Sequence, residues 1–150
     1  MRIAIGCDEN GYELKEIIKG HLDEIGVEYE DFGCGPDEKV LYPDIAHKVA
    51  LSIAEGKHDR GILICGTGLG MAIAANKVPG IRAATCHDIY SAERAVKSNN
   101  AQIITFGAQV IGPVLTIHLL DAWLKSEFQG GRSKPKVELI EEIDSKYRRF

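Results

Sequence analysis

No stretch of this chain stays apolar for anything near the roughly 20 residues of a membrane-spanning helix. An excess of positive charge is missing too: 18 lysines and arginines stand against 22 aspartates and glutamates, a formal net charge of −4. That balance argues against nonspecific nucleic-acid binding and leaves no membrane or nucleic-acid partner in view. No basic-then-apolar leader precedes the first strand pattern, Arg2-Ile3-Ala4-Ile5. No signal peptide is therefore expected, and the expected compartment is the cytoplasm. Cysteine is sparse, four in 150 residues, and without a secretory context these read as free thiols rather than disulfides. The five histidines (His21, His47, His58, His87, His118) lack the short spacings of a zinc site, so neither a metal nor a cofactor is expected. Repeats, linkers and low-complexity segments are also absent. What the chain does have is 45% hydrophobic and 27% charged residues, enough for one domain with a substantial core.

Strand and helix patterns alternate along the chain. Strands are expected over 2–6, 27–32, 61–64, 81–85 and 102–106. Between them run helical stripes: Leu14, Ile17, Ile18, Leu22 and Ile25; then Ile45, Ala46, Val49, Ala50 and Ile53 behind Pro43; then Ala92, Ala95 and Val96 behind a capping Asp88. Pro113 starts a long helix with Val114, Ile117, Leu120, Trp123 and Leu124, and Pro135 opens a last one using Val137, Ile140 and Ile143. Five βα units predict an α/β fold, a five-stranded parallel sheet covered by helices on both faces. The expected unit is a single domain over 1–150. Its last helix, about 134–148, packs either on its own sheet or on a partner subunit, and the sequence leaves both open.

The segment Gly61-Ile62-Leu63-Ile64-Cys65-Gly66-Thr67-Gly68-Leu69-Gly70 concentrates the chemistry. Its apolar run reads as a buried parallel strand, and its glycine-rich turn falls at the strand's carboxyl end, where open α/β sheets bind ligands. Glycine lets backbone N–H groups approach an anion, and a following helix adds partial positive charge. Easing the ionisation of a thiol there by roughly 2 kcal/mol exceeds the usual worth of a helix end, about 0.3–1 kcal/mol. Hydrogen bonds from the turn must supply the difference. Nucleotide readings fit poorly. The glycine spacing follows the third strand, not the first, no Walker lysine follows, and a cysteine phosphatase wants arginine where Met71 stands.

Other strand ends carry weaker signals. Asp8 or Asn10 taken alone is a helix cap, but Glu9 beside them is harder to assign to capping, and two acids at a strand end also suit proton relay or hydroxyl binding. Cys7 and Cys86 read as small core residues. Arg132, Lys134 and Lys136 gather at a helix start against the dipole preference, an arrangement that a bound phosphate would justify, on this subunit or a neighbour.

Taken together, Gly6-Cys7-Asp8, Tyr42-Pro43, Ile64 to Gly70, Ala74-Ala75-Asn76-Lys77, Gly80-Ile81-Arg82-Ala83, Tyr90-Ser91-Ala92, Phe106-Gly107, Asp121-Ala122-Trp123-Leu124 and Gly130-Gly131-Arg132 resemble the ribose-5-phosphate isomerase type B family, which includes galactose- and allose-6-phosphate isomerases. The likeness runs over nearly the whole chain. It implies a Rossmann-like α/β/α sandwich, a homodimer or homotetramer with active sites between subunits, and metal-free aldose–ketose isomerisation of a sugar phosphate in pentose phosphate metabolism. By this resemblance Cys65 is the base that shuttles a proton through a cis-enediolate. Thr67 and the N–H groups of Gly66, Gly68 and Gly70 hold the oxyanion, and Asp8 moves protons between oxygens. Glu9, Tyr42, Asn99 and Asn100 contact the sugar, while Arg132, Lys136 and Gln109 fall at phosphate-holding positions.

The departures from the family pattern are specific. Glu9 and Ser133 stand where histidines are usual, and Gln109 and Lys136 where arginines are. The histidine that opens the sugar ring across the subunit boundary is replaced in Ser98-Asn99-Asn100, at Asn99. Asparagine is no general acid near neutral pH. Either ring opening is left to solvent or another group, or the substrate never closes a ring, as with an aldotetrose 4-phosphate. The rival from another class is a noncatalytic sugar-phosphate binder, or a partner subunit of a hetero-oligomeric isomerase. Neither gains from keeping both Cys65 and Thr67.

Overall fold

A computed structural model describes residues 1–148, so the last two positions of the domain expected over 1–150 lie outside the described residues. Five strands, β1 (Arg2–Cys7), β2 (Glu28–Asp31), β3 (Arg60–Cys65), β4 (Ala83–Thr85) and β5 (Ile103–Gly107), alternate with six helices. These are α1 (Tyr12–Glu24), α2 (Tyr42–Ala54), α3 (Leu69–Ala75), α4 (Ile89–Lys97), α5 (Pro113–Lys125) and α6 (Lys134–Tyr147). The strands pair in parallel in the order β2-β1-β3-β5-β4.

Strand alternation builds the three layers. Ile3, Ile5, Cys7, Ile62, Ile64, Ile104 and Phe106 meet Leu14, Ile18 and Leu22 of α1 and Leu119, Leu120 and Trp123 of α5 on one face. Ala4, Leu63, Cys65 and Ile103 meet Ile45, Val49 and Ile53 of α2 and Met71 and Ala75 of α3 on the other. The central strands are buried on both sides and so carry unbroken apolar runs. Among the described residues no helix is long and apolar enough to cross a membrane.

Three expectations need correction. Ile17 and Ile25, assigned to the buried stripe of α1, are 42% and 46% exposed, while Lys15 is 1% exposed. Lys15 turns inward because its ammonium donates to Asp31 Oδ1 at 2.9 Å and to the Cys34 carbonyl at 2.6 Å. Burial alone would raise the Asp31 carboxyl, but the bonds from Lys15 and Lys19 outweigh it and hold Asp31 below the usual carboxylate range. The fourth strand starts at Ala83 rather than at residue 81, since the Arg82 N–H bonds the Gln102 side chain instead of the ladder. Finally, Val114 on α5 and Ile140 and Ile143 on α6 are exposed, leaving Val137 as the buried residue of α6. The last two helices keep apolar surface open.

From β1 the chain turns outward to β2 and then crosses back to β3 on the other side of β1. The carboxyl ends of β1 and β3 therefore flank the topological switch point, the crevice in which such sheets bind ligands. Asp8 and Cys65 stand at its two lips.

Candidate active site

Asp8 leaves β1 with its N–H on the Ile64 carbonyl of β3, at 3.2 Å. Its Oδ1 accepts the N–H groups of Asn10 at 3.0 Å and Gly11 at 3.2 Å, capping a single 3-10 turn, Glu9–Gly11. The capping expectation is met, and the acid is also buried. Desolvation raises its carboxyl above the ordinary range against the pull of those N–H bonds. Glu9 is exposed and reaches across to the loop before α2, where Oε2 accepts the Val40 N–H at 3.4 Å.

Cys65 ends β3 opposite Gly107 of β5 and is 6% exposed. The Gly68 N–H donates to its Sγ at 3.1 Å, a hydrogen bond from the turn of the kind expected from the sequence. Gly68 has φ +79°, and an added Cβ would lie 2.9 Å from the Phe106 carbonyl carbon, so glycine is obligatory there. The Leu69 N–H bonds Thr67 Oγ1 at 3.3 Å. Two donors of the turn are thus engaged by its own side chains. At the other three thiols burial pushes Cys7 up to about 12 and Cys86 up to about 11, and raises Cys34 as well. They are core residues.

Two further expected residues cover the turn. The Tyr42 ring packs on Gly70, where a Cβ would lie 2.4 Å from the ring. Gln109 donates its N–H to the Gly66 carbonyl at 3.0 Å, and its side-chain oxygen lies 3.0 Å from where a Gly66 Cβ would be. Thr67, Leu69 and Gln109 are exposed, so the rim is open in a single chain. Sequence reasoning missed three supporting groups. The His87 Nε2 accepts the Gly107 N–H at 3.0 Å, and the Thr85 and Thr105 hydroxyls approach the Gly68 carbonyl. Only sheet pairing brings these residues to the turn, so no local signal marked them.

The remaining expected residues lie at the opposite, amino end of the sheet. Asn99 and Asn100 sit between α4 and β5, their carbonyls bound by the Arg82 guanidinium at 3.2 and 2.8 Å. The Asn99 side chain donates to the Arg94 carbonyl at 3.0 Å. Arg132 lies in a 3-10 turn, Gly131–Ser133, and Lys136 in the first turn of α6, which has no acidic residue. The Gln129 N–H on the Lys97 carbonyl, 3.2 Å, ties this segment to the end of α4. Farther along α6, Glu141 pairs with Arg82 and Asp144 accepts the Gly80 N–H. One chain brings Asp8, Glu9, Tyr42, Cys65 to Gly70 and Gln109 to one end, and Asn99, Asn100, Arg132 and Lys136 to the other. Among the described residues no cluster of three or more His, Cys, Asp or Glu is arranged to hold a metal.

A family model described as ribose/galactose isomerase matches residues 3–140. The chain belongs to the ribose/galactose isomerase family. Relatives of this isomerase-family chain include the Listeria innocua ribose-5-P isomerase B, 64% identical over 148 residues, 99% of this chain and 100% of that protein. The D-erythrulose-4-phosphate isomerase of Pectobacterium atrosepticum is 55% identical and is matched over 93% of each chain. Among solved structures, the Clostridium thermocellum ribose-5-phosphate isomerase B superposes with a TM-score of 0.95 at 50% identity, covering 98% of this chain and 99% of that one.

Proposed function

We propose that this protein is a sugar-phosphate isomerase that interconverts an aldose phosphate and a ketose phosphate of four or five carbons, with Cys65 as the base. The observation that carries the reading is the Gly68 N–H on Cys65 Sγ at the switch-point crevice. The thiolate takes the proton from carbon-2 of the aldose, and the C–H electron pair moves into the carbon-1–carbon-2 bond as the carbonyl oxygen becomes an oxyanion. Thr67 and the N–H groups of Gly66 and Gly70 stabilise that cis-enediolate, the Gly68 N–H being held on the sulfur instead; losing one such donor typically costs about 3–4 kcal/mol. Asp8 moves the hydroxyl proton between the two oxygens. Its Oδ1 is occupied by the cap, which leaves Oδ2 for the sugar. Cys65 then returns the proton to carbon-1, and the balance closes without a cofactor.

In this reading Arg132 and Lys136 hold the phosphate from a second copy, while Gln109 lies beside Cys65 on the same chain. Cys65 and Arg132 lie at opposite ends of one sheet, beyond the reach of a single small sugar phosphate. Exposed apolar side chains at both ends, Leu69 and Val110 at one and Leu139, Ile140 and Ile143 at the other, supply material for such an interface. This also assigns α6 a role at the subunit boundary.

A four-carbon substrate is favoured by one feature. Asn99 replaces the ring-opening histidine and has its amide committed to the Arg94 carbonyl, and an aldotetrose 4-phosphate cannot form a furanose through its phosphorylated oxygen. The relatives bear names of both kinds, which supports either length. Purified protein assayed on erythrose 4-phosphate and ribose 5-phosphate decides it. A much higher kcat/KM for ribose 5-phosphate removes the tetrose reading. Absence of any ketose phosphate product, with every sugar phosphate tried, removes the enzymatic one.

A further inference from the structure

Thr85 and Thr105 are directly paired across β4 and β5, on strands that are otherwise apolar or small. Thr105 is completely buried and Thr85 half-buried. Their oxygens are 2.7 Å apart, and they lie 2.8 Å (Thr105) and 3.2 Å (Thr85) from the Gly68 carbonyl oxygen. Three contacts share two hydroxyl protons, so they cannot all be hydrogen bonds at once. The two shorter distances select one chain: Thr85 O–H donates to Thr105 Oγ1, and Thr105 O–H donates to the Gly68 carbonyl. Each bond polarises the next. The same carbonyl accepts the Ala72 N–H at 3.1 Å as the first bond of α3. Gly68 is thus gripped through its carbonyl from the sheet, in a left-handed conformation, while its N–H is aimed at the Cys65 sulfur.

We infer that the Thr85–Thr105 hydroxyl chain is a positioning element for the reaction, locking Gly68 so that its N–H stays on Cys65 Sγ. Neither threonine touches the sugar; both act through the turn. A buried hydroxyl pair is costly to desolvate unless its protons are used; here the Thr85 proton is used on Thr105 and the Thr105 proton on the Gly68 carbonyl, whose peptide adjoins the Thr67–Gly68 peptide that carries the donor to the thiol. Valine at both positions would keep shape and burial while removing the sheet's hold on that carbonyl, leaving it the Ala72 N–H alone and loosening the turn that aims the Gly68 N–H at the sulfur. The inference rests on Cys65 being the base, but one of its readouts does not.

The test compares the parent protein with Thr105→Val, Thr85→Val, the double valine variant and Thr105→Ser. Iodoacetamide labelling of the Cys65 peptide, followed by mass spectrometry across a pH series, reports the thiol without any turnover. The double variant is expected to label about tenfold more slowly near neutral pH, the worth of one buried hydrogen bond. The deficit closes in strongly alkaline solution, where every thiol is ionised. The kcat should fall by a similar factor with KM little changed, and Thr105→Ser should restore both. Thr85→Val alone should give a smaller loss than Thr105→Val, since Thr105 still reaches the carbonyl. Thr85 is half-buried, so this variant reports even if the double variant fails to fold. Parent-like labelling in the valine variants, or a deficit that persists unchanged at alkaline pH, overturns the inference. Full activity of Cys65→Ala would instead overturn the base assignment while leaving the labelling result standing.

Discussion

The two ends of the sheet are built from different materials. At the carboxyl end the chemistry is held by backbone: a thiol, a left-handed glycine, a carbonyl gripped by hydroxyls and a buried aspartate capping its own turn. At the amino end it is held by long charged side chains, Arg82, Arg132, Lys136 and Glu141, on α6 and the loops beside it. The first arrangement suits proton transfer, where donors must stay fixed to within fractions of an ångström. The second suits grasping a dianion, where flexible cations are adequate. One chain has the two halves at opposite ends of its sheet, and the proposed reading joins them across two chains.

The largest effect should come from the carboxyl end. Cys65→Ala is expected to lower kcat by about 10³-fold, the ordinary range for losing a general base, measured by coupled assay and by deuterium wash-in. The division between ends is sharpened by Arg132→Ala, which should raise KM about tenfold or more with a smaller change in kcat. Mixing Cys65→Ala with Arg132→Ala protein after partial unfolding and reassembly should then recover roughly a quarter of parental activity, because half the dimers are mixed and each carries one intact site. No recovery on mixing would mean that the two ends do not serve one site across an interface.

A smaller effect concerns the scaffold. Asp31→Asn takes the paired carboxylate from the buried Lys15 ammonium, leaving it neutral acceptors and the Tyr12 ring, and is expected to cost about 3 kcal/mol in a urea melt. The Asp31 carboxyl sits below its ordinary value, so the stability it contributes is complete above about pH 4 and fades as pH falls further. The variant should lose that acid dependence along with the stability.

What was legible in the sequence follows from range. The alternation of strand and helix, the cysteine-glycine turn and the Asp88 cap are local patterns, and each appears where its spacing indicated. Lys15 falls outside the apolar stripe read for α1 because the partner that buries it, Asp31, belongs to β2, and Ile17 is exposed on the same helix. The Thr85–Thr105 chain and the His87 bond to Gly107 are invisible for the same reason: β4 and β5 must pair before the residues meet. Of the amino-end residues, Asn99 and Asn100 were named by likeness to a family and Arg132 and Lys136 also by their charge at a helix start; their distance from Cys65 emerges only when the sheet direction is known.

The smallest effect, and one that tests how tightly the carboxyl end is buttressed, comes from His87. Its Nε2 accepts the Gly107 N–H, a bond only the neutral ring can make. Gly107 in turn packs against the Thr67 backbone, where a Cβ would lie 2.7 Å from the carbonyl. Burial lowers the His87 value below its ordinary 6.5, with Asp88 partly opposing. Below about pH 6.5 the unfolded chain therefore takes up this proton more readily than the folded one. The contribution of His87 to stability is complete above that pH and declines as pH drops through the window beneath it. His87→Gln keeps an acceptor for Gly107 without a titrating ring, so its melting temperature should lose the part of the slope below about pH 6.5 that His87 supplies. An unchanged slope would mean that the ring shifts away from Gly107 at no cost, and that the wall behind Thr67 is softer than the backbone contacts imply.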